Sequence, residues 1–154
     1  MAEFYVSVSD RSMASQIADM INKYNRWATK FSATALLMTP ARYFVELENT
    51  KVVGCASCIR EYETLTKIQH ICVLPTHRKR GIAKQLTKLA IENSETEFVY
   101  MTIREDNIAS LRLAVSLGFR YITKHWFCDH WTLTYGGKKD NGSKSEYYTR
   151  SMQD

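Results

Sequence analysis

Arg78, Lys79 and Arg80 stand directly before Gly81, where a strand-like run of residues gives way to a helix-like one. That combination suits an anion, above all a phosphate. A helix start presents several backbone N–H groups with no partner inside the helix and carries roughly half a positive charge. The three cationic side chains add to that charge, and Gly81, having no Cβ, lets a ligand approach the main chain. By charge alone the same residues would also serve as a solvated basic turn.

The flanking residues position this turn. Ile68, Ile71, Cys72, Val73 and Leu74 are apolar and mostly β-favouring, and Pro75 stops the strand because it cannot donate to a ladder. Beyond Gly81 the apolar residues fall at Ile82, Ala83, Leu86, Leu89 and Ala90, the 3.6-residue period, with Lys84, Gln85, Lys88 and Glu92 opposite. The stretch therefore reads as strand, phosphate cradle and helix.

Around it, Phe4 to Val8 reads as a first strand. Met13, Ile17, Met20, Ile21 and Tyr24 share a helix face, and a second, shorter helix is expected between Trp27 and Met38, ended by Pro40. Arg42–Glu48 and Lys51–Arg60 read as a hairpin about Asn49-Thr50, with Tyr43, Val45 and Leu47 on one face. Strands follow at about Glu63 to Leu74 and Phe98 to Ile103. Glu105-Asp106-Asn107 then caps a helix whose expected core face is Ile108, Leu111 and Val115, ending at Gly118. From Phe119 to Tyr135 one long, bent strand is expected, because Cys128-Asp129 is not a hairpin-turn signature. Gly136-Gly137 and Asn141-Gly142 are such signatures, and a last strand is placed at Glu146 to Met152.

Arg78-x-x-Gly81-x-Ala83, after a strand ending Val73-Leu74-Pro75, resembles the (Gln/Arg)-x-x-Gly-x-(Gly/Ala) signature of the GNAT acyltransferases. Asn107-x-x-Ser110-x-x-Leu113, then Leu117-Gly118-Phe119, is similar to the second block of that family, Asn-x-x-Ala-x-x-Leu-Tyr-x-x-x-Gly-Phe. The two blocks come in the family's order and spacing, and the resemblance runs roughly from Ala41 to Phe127. It implies an α/β fold, a mixed and mostly antiparallel sheet of six to seven strands flanked by about four helices. It further implies an N-acetyltransferase that uses acetyl-CoA. By that resemblance the amides of Ile71, Cys72 and Val73 would bind the acetyl and pantetheine portion, left unpaired where the next strand splays away. The loop amides of Lys79, Arg80, Gly81, Ile82, Ala83 and Lys84, with the side chains of Arg78 and Arg80, would hold the pyrophosphate. Asn107, with Ser110 in the same block, would contact the pantetheine arm, and Trp27 and Phe31 would wall the acceptor site. The acceptor would be a primary amine on a small molecule, a protein lysine or a protein N-terminus.

The catalytic side chains depart from the family pattern. A tyrosine acting as general acid often follows the Leu113 position, and this chain has Ala114 there. The strand positions that often hold a glutamate or histidine base are Lys67 and Gln69, neither suited to that task at neutral pH. His70 is adjacent, with an ordinary pKa near ~6.5, and is the candidate base. Strict alternation turns it away from Lys67 and Gln69, but a bulge would re-aim it. His125 and His130 are further candidates, and Tyr147 or Tyr148 could replace the missing acid.

Composition sets outer bounds. The chain has 154 residues, 45% of them hydrophobic, which fits one domain over residues 1–154 with one substantial core. No eighteen-residue apolar run and no basic-then-apolar start are visible, so the expectation is a cytoplasmic protein with no membrane partner. A formal charge of +5 suits either a phosphate-rich cofactor or nucleic acid. The basic residues gather near Lys79 and at Lys138, Lys139 and Lys144 rather than in an aromatic-interleaved stripe, which disfavours nucleic acid. Cys55-x-x-Cys58 lies on a strand, where residues three apart point to opposite faces. With no second Cys pair following, no metal site is expected, and the four cysteines read as free thiols. A homodimer is the default for a small enzyme.

Overall fold

Strand and helix patterns resolve into two compact parts in the computed structural model, which describes residues 2–5, 11–25 and 30–139. The first part takes Met1–Ile59 with Ile68–Asn93, and the second Arg60–Lys67 with Ser94–Asp154.

In the first part, α1 (Arg11–Tyr24) buries Ala14, Ile17, Ala18, Met20 and Ile21. These residues form one core with Leu36 of α2 (Ala33–Met38) and with Tyr43, Val45, Val52, Cys55 and Cys72 from the strands. Helix α2 starts at Ser32, whose Oγ accepts from the Ala35 amide at 3.0 Å, an N-cap that satisfies one orphan donor. The expected first strand is β1 (Ala2–Tyr5); Val6 to Val8 lie outside the described residues, as does Trp27. Strands β2 (Arg42–Glu48) and β3 (Lys51–Tyr62) pair antiparallel, and Asn49 and Thr50 close the hairpin at φ 57° and 78°, the left-handed pair of a type I′ turn. Val52 through Cys58 are all buried, so β3 is covered on both faces and Cys55 and Cys58 are both interior despite pointing oppositely. Helix α3 (Ile82–Glu92) lies close over β3 at Gly54, where an added Cβ would fall 2.9 Å from Ile82 Cγ2.

In the second part, the first residues of β4 (Leu65–Val73) pair parallel with β5 (Phe98–Arg104), and β5 pairs antiparallel with β7 (His130–Lys138). Three expectations are corrected, two of them in this hairpin. The chain from Phe119 to Tyr135 is not one bent strand but β6 (Arg120–Phe127) and β7, joined by Cys128 and Asp129 at φ 44° and 63°. Asp tolerates that region. Cross-strand aromatic pairs at Trp126–Trp131 and Phe127–His130 hold the turn that Cys128 does not favour. Gly136-Gly137, expected as a turn, is buried inside β7, where Ile122 reaches to 2.5 Å of the place a Gly136 Cβ would occupy.

The other correction concerns α4 (Ile108–Ser116), whose buried residue is Ala114, while Ile108 and Val115 are 51% and 60% exposed. Its inward face is thus turned away from the phase read from its large apolar residues, and a small side chain sits innermost. The expected final strand at Glu146 to Met152 lies outside the described residues.

The strand order is β1-β2-β3-β4-β5-β7-β6. A mixed, mostly antiparallel sheet with four helices among the described residues matches the expected class.

Candidate functional site

The end of β4 carries an irregularity at a residue singled out from the sequence. His70 has φ 53°, a left-handed conformation that costs a non-glycine residue on the order of 1 kcal/mol or more. Three contacts hold it there. Its carbonyl accepts from Cys55 Sγ at 3.2 Å, its Nδ1 lies 2.5 Å from Tyr43 Oη, and Phe31 meets its ring edge-on with centroids 4.7 Å apart. Burial still alternates along the strand, with Thr66, Ile68, His70 and Cys72 inward and Lys67, Gln69 and Ile71 half-buried on the other side. His70 therefore does not share the side taken by Lys67 and Gln69.

Side chains tie the carbonyls that follow. Asn25 Nδ2, just beyond α1, donates to the Ile71 carbonyl at 3.4 Å, and Arg78 Nε donates to the Val73 carbonyl at 3.0 Å. The Leu74 amide donates to Val53 of β3 at 2.9 Å, which fixes that strand edge toward β3. On its other edge, the registered ladder with β5 covers Leu65–Lys67 against Phe98–Tyr100 and goes no further. Cys72 is buried, and burial pushes its thiol up to about 11 against the opposing pull of Arg78.

Pro75–His77 then makes a short 3-10 turn, and left-handed residues follow at Lys79 (φ 61°) and Gly81 (φ 79°). Gly81 is the N-cap of α3 and supplies no side-chain acceptor. The first hydrogen bond of the helix runs from the Gln85 amide to the Gly81 carbonyl at 3.0 Å, so the amides of Ile82, Ala83 and Lys84 precede the helical ladder. Nothing lies within 4 Å of where a Gly81 Cβ would stand. Arg78, Lys79, Arg80, Gly81 and Lys84 are exposed, and Ile82 and Ala83 half-buried.

Two of the cations are braced by their surroundings. The Arg78 guanidinium packs over Tyr24 at 5.5 Å, and Arg80 Nη2 donates to the Thr76 carbonyl at 3.2 Å. His77 pairs with Glu48, and that hydrogen bond, then the charge of His77, then lesser effects of Arg80 and Lys51, hold the Glu48 carboxyl below its usual range. Open space, unlapped amides and braced cations fit a diphosphate, and hence the CoA that the sequence implies.

The remaining predicted residues are distributed as follows. Phe31 lies half-buried against His70, its backbone clamped by both ends of the Asn22 amide at 2.7 and 2.8 Å. Asn107 caps α4 in the second part, its Oδ1 accepting from the Ser110 amide at 3.2 Å. His125 is exposed, and His130 Nδ1 bonds the Cys128 carbonyl at 2.7 Å. Ala114 is fully buried, so the tyrosine position holds a packed methyl group. Tyr147 and Tyr148 lie outside the described residues. Sequence reading missed Tyr43, Asn22 and Asn25 as site supports. Tyr43 was legible only as one member of a core face, and no local pattern marks either asparagine.

The profile of the Acetyltransferase (GNAT) family matches residues 9–119. Among solved structures, that of yncA from Salmonella typhimurium with acetyl-CoA superposes with a TM-score of 0.72 at 18% identity, covering 93% of this chain and 97% of that one. A ribosomal-protein-alanine N-acetyltransferase from Brucella melitensis gives 0.71 at 18% identity, over 88% and 99%. The NatC complex bound to Gag peptide and CoA gives 0.71 at 17% identity, over 86% and 96%. At such identities these likenesses speak to the fold. No curated protein matches the chain in sequence.

Proposed function

Because the chain belongs to the GNAT acetyltransferase family, we propose that it moves an acetyl group from acetyl-CoA to a primary amine, both bound at once. The acceptor is an amine of a small molecule, a protein lysine or a protein N-terminus. CoA supplies an activated thioester carbonyl; the chain supplies orientation, donors and a path for a proton. In this reading the amides of Lys79 to Lys84, with Arg78 and Arg80, grip the diphosphate. Backbone groups of Ile71, Cys72 and Val73 take the acetyl and pantetheine portion, and Asn107 and Ser110 contact the pantetheine arm. Trp27 and Phe31 wall the acceptor, and His70 handles the proton.

The observation that carries this reading is the opening of α3. A left-handed glycine with open space beside it precedes three amides outside the helical ladder, flanked by arginines fastened to the end of β4 at Val73 and to the turn at Thr76. The test is thiol release from acetyl-CoA across a panel of amines. Release that depends on one amine class supports the proposal, and none with any amine contradicts it. A second reading, a CoA-binding module without turnover, is favoured by the buried Ala114 in place of the family's tyrosine and by Lys67 and Gln69 in place of a base. CoA binding without thiol release would select it.

A further inference from the structure

Glu48 ends β2 beside a turn whose charge suits an anion, a place where a carboxylate works against the ligand by charge alone. Its side chain reaches His77 of the Pro75–His77 turn, 29 residues on in the sequence and within the same compact part. The hydrogen bond and charge of His77, with lesser effects of Arg80 and Lys51, favour its ionised form. An ionised carboxylate can only accept, so His77 Nε2 donates. Nδ1 of the same ring meets Thr76 Oγ1 at 2.8 Å, and a hydroxyl can donate or accept there. The imidazole, its side chain 17% exposed, is therefore bonded at both nitrogens whether neutral or charged.

The turn's other hydrogen bonds stay close to home. The His77 amide donates to the Leu74 carbonyl at 2.9 Å, Arg78 Nε to the Val73 carbonyl at 3.0 Å and Arg80 Nη2 to the Thr76 carbonyl at 3.2 Å, all within residues 73–80. The bond to Glu48 instead crosses to the β2–β3 hairpin, where Glu48 stands opposite Lys51 in the register. We propose that Glu48 is a positioning residue for the diphosphate turn: by holding His77 it fixes the main chain that presents Arg78, Arg80 and the amides after Gly81.

The identity of the ligand rests on the acyl-transfer reading, although the tether itself does not. Glu48 acts on a bound polyanion in two opposed ways. Its negative charge, near Arg80, weakens the pull on a diphosphate, while its grip on His77 orders the cradle before the ligand arrives and so lowers the cost of binding. Two substitutions separate these effects. Glu48→Gln removes the charge and keeps a side-chain carbonyl that can accept from Nε2; Glu48→Ala removes both. Were charge the whole matter, each variant would bind CoA more tightly than the wild type. With the tether in command, Glu48→Ala binds more weakly despite the lost repulsion, and Glu48→Gln does not.

The experiment is calorimetric titration of the full chain with CoA, for the wild type and both variants, beside amide hydrogen exchange of the ligand-free proteins. The proposal predicts a Kd at least threefold weaker for Glu48→Ala and one no weaker than wild type for Glu48→Gln. It also predicts faster exchange over residues 76–84 in Glu48→Ala alone, with the rest of the chain unchanged. A Glu48→Ala protein that binds CoA as well as the wild type or better would overturn it, and so would a Glu48→Gln protein as weak as Glu48→Ala. Exchange in Glu48→Ala that is unchanged at the turn, or raised evenly over the whole chain, would overturn it as well. A wild type that binds no CoA would contradict the acyl-transfer reading, while the exchange comparison still decides the tether, so the two failures remain distinguishable.

Discussion

A histidine held at φ 53° in a strand is an expense that the fold meets with a thiol, a phenol and an aromatic edge, and such concentration of support marks functional positions. His70→Ala is expected to lower turnover at least tenfold with CoA affinity unchanged, checked by steady-state kinetics beside calorimetry; equal turnover would remove His70 from the reaction. Glutamine can offer an N–H but cannot take up a proton, so proton uptake by His70 predicts no recovery in His70→Gln over His70→Ala. At this scale the sequence was half legible. His70 stood out by residue type and place, but Tyr43 could not, because a contact across 27 residues and two strands leaves no local pattern.

The strand, turn and helix from β4 to α3 were readable because each is written locally: β-favouring residues, a proline stop, a glycine at φ 79° and a 3.6-residue period. The β6–β7 turn and the face of α4 were not, since one rests on cross-strand aromatic pairs and the other on what packs beneath the helix. Gly54 is the element-scale support for the cradle, as its missing side chain admits Ile82 and Leu86 of α3. Gly54→Ala is expected to destabilise by about 1–3 kcal/mol in urea unfolding, through overpacking against a β-branched neighbour. No loss would mean that α3 can shift without cost. The cysteines give a second check. Cys128 is exposed and Cys55, Cys58 and Cys72 are buried, so a thiol reagent should find one fast site in the folded chain and four after unfolding. The buried thiols also tie stability to pH. The folded state keeps the Cys72 proton up to about 11, whereas the unfolded chain releases it near the ordinary 9.0. The folded state thus binds more protons between those values, and stability should fall as pH rises through that window and stay level just below it. An unfolding midpoint equal at pH 8 and pH 10 would contradict this.

At the scale of the whole molecule, family and fold class were legible from two short blocks, and the seven-strand order and four helices among the described residues agree with them. Acceptor identity was not, because it resides in side chains brought together by the fold rather than in a spaced motif. The net charge of +5 has a role in this account only if the cations beside Gly81 meet a polyanion, so CoA affinity should weaken as salt rises. The most direct measurement is calorimetric titration of the intact protein with CoA, beside Gly81→Asp. The account predicts saturable heat for the wild type and at least tenfold weaker binding for the variant, whose carboxylate and Cβ would enter the diphosphate's place. A wild-type titration without heat, or equal affinity in both proteins, would contradict it.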